Sequence, residues 1–213
     1  MKLRLAAILA VTLLSACSHK GEFVGEGGLG VYAVRSACPI AGIPAGTGDI
    51  TLFNPAGSTD ARAIDVSAAI SEIRPYCSEG ATDVVSTTTF TVVGLRRDAG
   101  QARQVVLPYF NIALRGGSNI AAKQIGQVVL NFPAGSVRAQ AQAQATIRVN
   151  RGAATLPEEV RRTLTKPRKV GEQEAAVDPL TDPTIRTAVA NATFEQLIGF
   201  QLTQDQLRYN ATR

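Results

Sequence analysis

From Arg138 to Val149 the chain alternates strictly: Ala139, Ala141, Ala143, Ala145, Ile147 and Val149 fall on one side, and Arg138, Gln140, Gln142, Gln144, Thr146 and Arg148 on the other. A period of two marks a half-buried strand, because successive side chains of extended backbone point to opposite faces. Alanine and glutamine favour helix as single residues, so a helix over 137–147 is the rival, but the period continues into Ile147 and Val149 and favours strand. A row of alanines lets another element approach closely.

Similar segments precede it. Val85–Arg96 is rich in threonine, valine and phenylalanine and ends at Arg97-Asp98-Ala99-Gly100. Arg103–Leu114 follows, with Pro108 marking an edge or a bend. Gly116-Gly117-Ser118-Asn119 turns the chain into Ile120–Phe132, and Pro133-Ala134-Gly135 turns it again. Short strands are expected over 31–35 and 49–53, with an irregular proline- and glycine-rich loop over 39–48 between them. Over Ile64–Ile73 two periods coexist: Ile64, Val66, Ala68 and Ile70 alternate, while Val66, Ala69, Ile70 and Ile73 also form a helical stripe. The β-rich run that follows favours strand. The fold expected is mainly β with a helical C-terminal tail: an antiparallel β-sandwich over 31–150, immunoglobulin-like among the options, packed by one or two C-terminal helices.

Beyond Asn150 the pattern changes. Thr155-Leu156-Pro157-Glu158 has the form of a capping box and predicts a helix to about Leu164. Residues 165–177 are charged and broken by Pro167 and Gly171, as a solvated linker is. Asp182-Pro183 predicts a helix to about Gly199, and Thr203 with Gln206 predicts a second capping box. Residues 151–213 are thus expected to form a helical extension packed on the sandwich.

The N-terminus has a different character. Lys2 and Arg4 precede an apolar run from Leu5 to Leu14, followed by Ser15-Ala16-Cys17. A basic start, a short apolar core and small residues form a secretory signal over 1–16, too short to remain as a spanning helix. Leu14-Ser15-Ala16-Cys17 resembles the lipobox of bacterial lipoproteins. That resemblance implies that Cys17 becomes the mature N-terminus and carries the acyl chains, several of which hold a protein firmly to a bilayer. Residues 17–30 then form a lipidated, glycine-rich flexible spacer. Ser18 stands where an aspartate would resemble an inner-membrane retention signal, so the outer membrane is favoured.

Composition adds limits. Loss of the signal leaves 197 of 213 residues, enough for a real core, and 20 basic against 17 acidic residues, a net charge of +3. That is not a nucleic-acid footprint. With Cys17 acylated, Cys38 and Cys77 remain as a pair expected to be bridged in an oxidising periplasm, two free buried thiols being the alternative. The only histidine, His19, lies in the spacer, so no histidine-based triad or metal site can form in the body, and no metal or cofactor is expected.

The available chemistry is that of carboxylates. Asp60 with Asp65, or Glu158 with Glu159, are candidate pairs for glycan cleavage, which needs two acids flanking a bond. Without a visible cleft such pairs read as solvated charge. The basic cluster Arg161, Arg162, Lys166, Arg168 and Lys169 is the candidate anion-binding patch, partly offset by Glu172 and Glu174. A β-rich body with a capped helical tail behind a lipobox is similar in architecture to uncharacterised envelope lipoproteins of Gram-negative bacteria. The function expected is therefore that of a non-enzymatic outer-membrane lipoprotein facing the periplasm, which binds a protein or an anionic envelope polymer. A carboxylate-dependent hydrolase of glycan or cell-wall substrates is the alternative.

Overall fold

The computed structural model describes residues 36–166 and 177–212. In chain order the strands are β1 (Ile40–Gly42), β2 (Asp49–Phe53), β3 (Ile64–Glu79), β4 (Asp83–Arg96), β5 (Arg103–Arg115), β6 (Asn119–Phe132), β7 (Arg138–Asn150) and β8 (Phe194–Phe200). The helices are α1 (Glu158–Thr165), α2 (Pro183–Asn191) and α3 (Gln204–Thr212). One sheet has the order β1-β8-β5-β6 and the other β2-β3-β4-β7, and the two pack as a sandwich. The expected strand over 31–35 lies outside the described residues.

The alternation that predicts β7 is realised along its whole length. It pairs antiparallel with β4 from Asp83↔Asn150 to Leu95↔Arg138, and Ala139, Ala145, Ile147 and Val149 are buried. The ambiguous segment at Ile64 is also strand, and it runs on through Pro75 to Glu79. Proline is tolerated there because β2 pairs with β3 only as far as Ala69, which leaves one side of the later residues open. The expected loop over 39–48 contains the short strand β1, held by parallel pairing with β8, Ile40↔Glu195 to Gly42↔Leu197.

The chain crosses between sheets from β4 to β5 and from β6 to β7, so that the β5–β6 hairpin nests inside the β4–β7 pair. An immunoglobulin sandwich sets non-consecutive strands at the centre of its four-stranded sheet. Here the hairpin partners β3 and β4 occupy that place, so the immunoglobulin order is not adopted. Between the sheets lie Phe90, Leu107, Leu130, Phe132, Ile198 and Phe200, each essentially inaccessible. Burial of each such side chain contributes about 1.5–3 kcal/mol.

The C-terminal part requires a correction. Asp182 caps α2 by accepting from the Thr184 amide at 2.7 Å, with Pro183 in the first turn, as expected. The helix ends at Asn191, not near Gly199, and Phe194–Phe200 becomes β8, between β1 and β5. Phe194, Gln196, Ile198 and Phe200 are buried, and so is Gly199 from the opposite face. With Phe194, Ile198 and Phe200 on one face and Leu197 half-buried on the other, the segment carries apolar residues on more than one side, which is also how a buried helix reads. Pairing on both sides decides for strand, and the sandwich therefore takes in a strand from beyond residue 150.

Caps at the other helices differ from one another. Thr155 does not cap α1; its hydroxyl donates to the Arg151 carbonyl, Pro157 stands at the N-cap without a side-chain bond, and Glu158 turns to arginines instead. At α3 the capping box is complete: the Thr203 amide donates to Gln206 Oε1 at 2.9 Å and the Gln206 amide to Thr203 Oγ1 at 3.3 Å. Tyr209 of α3 sets its ring edge-on to Phe53 of β2, with centroids 5.0 Å apart.

Candidate binding surface

Between the sheets, at the β8 end, sits a polar knot. Gln196 on β8 is fully buried; its Oε1 accepts from Ser86 Oγ at 2.8 Å and Thr88 Oγ1 at 2.9 Å, and its Nε2 donates to Asn111 Oδ1 and to the Ala145 carbonyl, each at 3.0 Å. Asn111 in turn donates to the Thr146 carbonyl at 3.0 Å. Four strands are tied through one amide whose hydrogen-bonding capacity is filled, the condition under which a buried polar group is tolerated. Gln196, Ser86 and Thr88 are sealed from solvent, and the knot fixes β8 against β4, β5 and β7.

A buried cation organises the opposite end. Arg96, 7% exposed, donates to the carbonyls of Ser136, Gln101, Gly100 and Pro133 at 2.7–3.0 Å, and its guanidinium lies 5.5 Å from the Phe132 ring centroid. It joins the β4–β5 turn to the β6–β7 turn. Beside it Arg103 grips Asp65 with two bonds, at 2.8 and 2.6 Å. These hydrogen bonds hold the Asp65 carboxyl below the usual carboxylate range and push the Arg103 guanidinium up. Asp65, Arg96, Asp98, Gln101 and Arg103 line a surface hollow of about 390 Å³.

Three of the carboxylates singled out in the sequence, Asp60, Asp65 and Glu158, are engaged by arginine. Asp60 caps a short turn, accepting from the Arg62 amide at 2.8 Å and from its guanidinium, and both bonds lower its pKa. Glu158 accepts from Arg161 and Arg162, which likewise lower its pKa. The structure does not join either carboxylate pair into a cleft with a raised-pKa acid, the feature that glycan cleavage requires.

The other predicted residues divide by location. Cys38 and Cys77 form a disulfide, with Cα atoms 6.0 Å apart, that ties the segment before β1 to β3. Glu79 nearby accepts from Ser36 at 3.2 Å and faces Arg151 at 3.8 Å. Arg161 and Arg162 lie on α1, both turned back to Glu158, and Lys166 ends that helix. Cys17, Arg168 and Lys169 lie outside the described residues, so the structure brings together only part of the basic cluster, in which Arg161 and Arg162 are already paired with Glu158.

The surface that residue-by-residue inspection misses is the outside of the β5–β6 hairpin. Val106 on β5, opposite Val129 on β6, is 50% exposed, Val129 38% and Ile125 55%, with Pro108 between them. Val128, Leu130 and Phe132 of β6 point inward and are buried. Apolar residues on both parities of one strand are the sequence signal of this outer patch, since a strand with one wet face alternates apolar with polar. The first half of β6, from Asn119 to Gln127, is almost wholly exposed and lies at the sheet edge.

The four sheet edges are treated differently. On β7, the open-side carbonyls of Gln144 and Thr146 accept from Tyr109 Oη and Asn111 Nδ2, each at 3.0 Å. Tyr109 reaches there by lying over Gly126 of β6, where any Cβ would collide with its ring. On β2, the Asp49 carbonyl accepts from Asn210 of α3 at 2.9 Å. β1 is only three residues long. β6 has fourteen residues, and among the described residues no group bonds to its outer edge. No described helix is long and apolar enough to cross a membrane, and no described cluster of His, Cys, Asp or Glu has the makings of a metal site. No protein-family model, curated protein or solved structure matches this chain.

Proposed function

We propose that the protein is a lipoprotein anchored through Cys17 in the outer membrane, with its sandwich on the periplasmic side, and that it acts there by binding a protein or an envelope polymer. The observation that carries this reading is Leu14-Ser15-Ala16-Cys17 directly behind a basic and then apolar start. The Cys38–Cys77 bridge supports it, because disulfides persist in oxidising compartments such as the periplasm. A binding role is supported by the form of the body: its conspicuous surface is an apolar outer patch beside an open strand edge, and Asp60, Asp65 and Glu158 are arginine-bound. The hydrolase alternative gains no observation of its own.

The test is Cys17→Ser. Wild-type protein should incorporate labelled fatty acid and sediment with the outer membrane, and the variant should do neither. Unchanged labelling and fractionation of the variant would overturn the anchor.

A further inference from the structure

The open edge of β6 has a defined hydrogen-bonding pattern. The Gln201 amide donates to the Pro108 carbonyl and the Gly116 amide to the Thr193 carbonyl, so the even-numbered residues of β5 bond toward β8 and the odd-numbered ones toward β6. In the register Tyr109↔Gly126, Asn111↔Gln124, the even-numbered residues of β6 from Ala122 onward therefore bond to β5; before it the register shifts at a bulge, where Ala121 has no partner. That leaves the amides and carbonyls of Lys123, Ile125, Gln127 and Val129 facing outward. On β7 and β2 some of these groups are capped by side chains from elsewhere in the fold; among the described residues none is capped on β6. An unpaired edge of this kind is a template on which another strand can add.

We infer that the edge of β6 is a self-association surface, on which a second copy of this chain adds its own β6 antiparallel across a two-fold axis at Ile125. A two-fold interface needs a strand compatible with its own reverse. Centred on Ile125, the pairs are Ile125 with itself and Lys123 with Gln127, all positions whose backbone groups face the open edge. Lys123 is the only charged residue in β6, and in this register it meets an amide and not another lysine. Three such opposed pairs give ~6 main-chain hydrogen bonds, within the range of a protein–protein interface. The outer patches of Val106, Ile125 and Val129 become continuous across the axis, and the two four-stranded sheets become one of eight strands.

The test uses two full-length copies carrying different affinity tags, co-expressed and solubilised from the envelope in mild detergent. Wild-type copies should co-purify. Ile125→Lys in both copies, or Ile125→Glu in both, should lower recovery about tenfold, because like charges then oppose one another at the axis, whereas one Lys copy with one Glu copy should restore it. An intact Cys38–Cys77 bridge and unchanged protease resistance verify folding, as expected for a side chain already 55% exposed. Failure of wild-type copies to co-purify, equal recovery of all variants, or failure of the mixed pair when both copies are folded would each overturn the inference. None of these outcomes bears on acylation of Cys17, so the two proposals fail separately.

Discussion

Replacing Gln196 with leucine gives a sharp test of how β8 is held. The side chain is fully buried and makes four hydrogen bonds. Leucine is close to it in size, so the main loss is polar: Ser86 and Thr88 lose their acceptor, and Asn111 Oδ1 loses its donor. Each buried group left unpaired costs about 1–3 kcal/mol, and hydroxyl rotation relieves part of that, so the expected loss is about 3–5 kcal/mol. A native domain has only about 5–15 kcal/mol to lose. The more discriminating variant adds Ser86→Ala and Thr88→Val to Gln196→Leu. Removing both partners of a buried bond is nearly neutral, so this triple variant should recover about 2 kcal/mol relative to Gln196→Leu alone. Urea unfolding with the disulfide intact measures both, provided the slopes agree. A Gln196→Leu effect below about 0.5 kcal/mol, the ordinary range of surface substitutions, or a triple variant less stable than the single one, would refute the role given to the knot.

Further expectations concern other parts of the sandwich. Arg96→Ala removes a donor from four turn carbonyls, of which Gly100 and Pro133 keep backbone amide donors, and should destabilise by about 2–4 kcal/mol in the same urea assay, with Arg96→Lys recovering only part because an ammonium lacks the planar fork. Ala143→Leu should cost about 1–3 kcal/mol by overpacking, and Gln142→Leu on the exposed face almost nothing; equal effects would mean that the facing of β7 is misassigned. Reducing the Cys38–Cys77 bridge, with a sequence separation of 39, should lower stability by about 4 kcal/mol on the chain-entropy model, read as a shift in midpoint with and without reductant. Because the folded pKa of Asp65 is depressed, its pairing with Arg103 stabilises fully above the ordinary aspartate range and is lost as pH falls through the lower folded value. Asp65→Asn should therefore destabilise at pH 7 by about 1 kcal/mol or less, given the partly exposed partner, and the difference should vanish in acid.

The sequence is most legible where one physical signal acts alone. β7 carries an uninterrupted two-residue period, and Cys38 and Cys77 pair by number once Cys17 is set aside. At β8 two signals compete. Asp182-Pro183 starts a helix, and neither glycine nor proline stops it at Asn191; the stop is Ala192, whose amide closes the last turn onto Ala188. Gln196 then points inward, where periodicity expects an apolar residue, because its partners on β4, β5 and β7 lie 51–110 residues away. Arg96 is hidden for a similar reason: an arginine at a strand end reads as solvated, and the four carbonyls that enclose it come from two separate turns. The basic cluster illustrates the reverse, since Glu158, only three and four residues before Arg161 and Arg162, was close enough to foreshadow their pairing.

Everything said of location rests on Cys17, and the most direct measurement is the mass of the N-terminal peptide of protein taken from the envelope. Cleavage after Lys20 should release Cys17-Ser18-His19-Lys20 carrying a diacylglyceryl thioether and an N-linked acyl chain, with nothing of residues 1–16 attached. An unmodified Cys17, or a mature chain beginning at any other residue, would contradict the anchor and with it the proposed place of the protein.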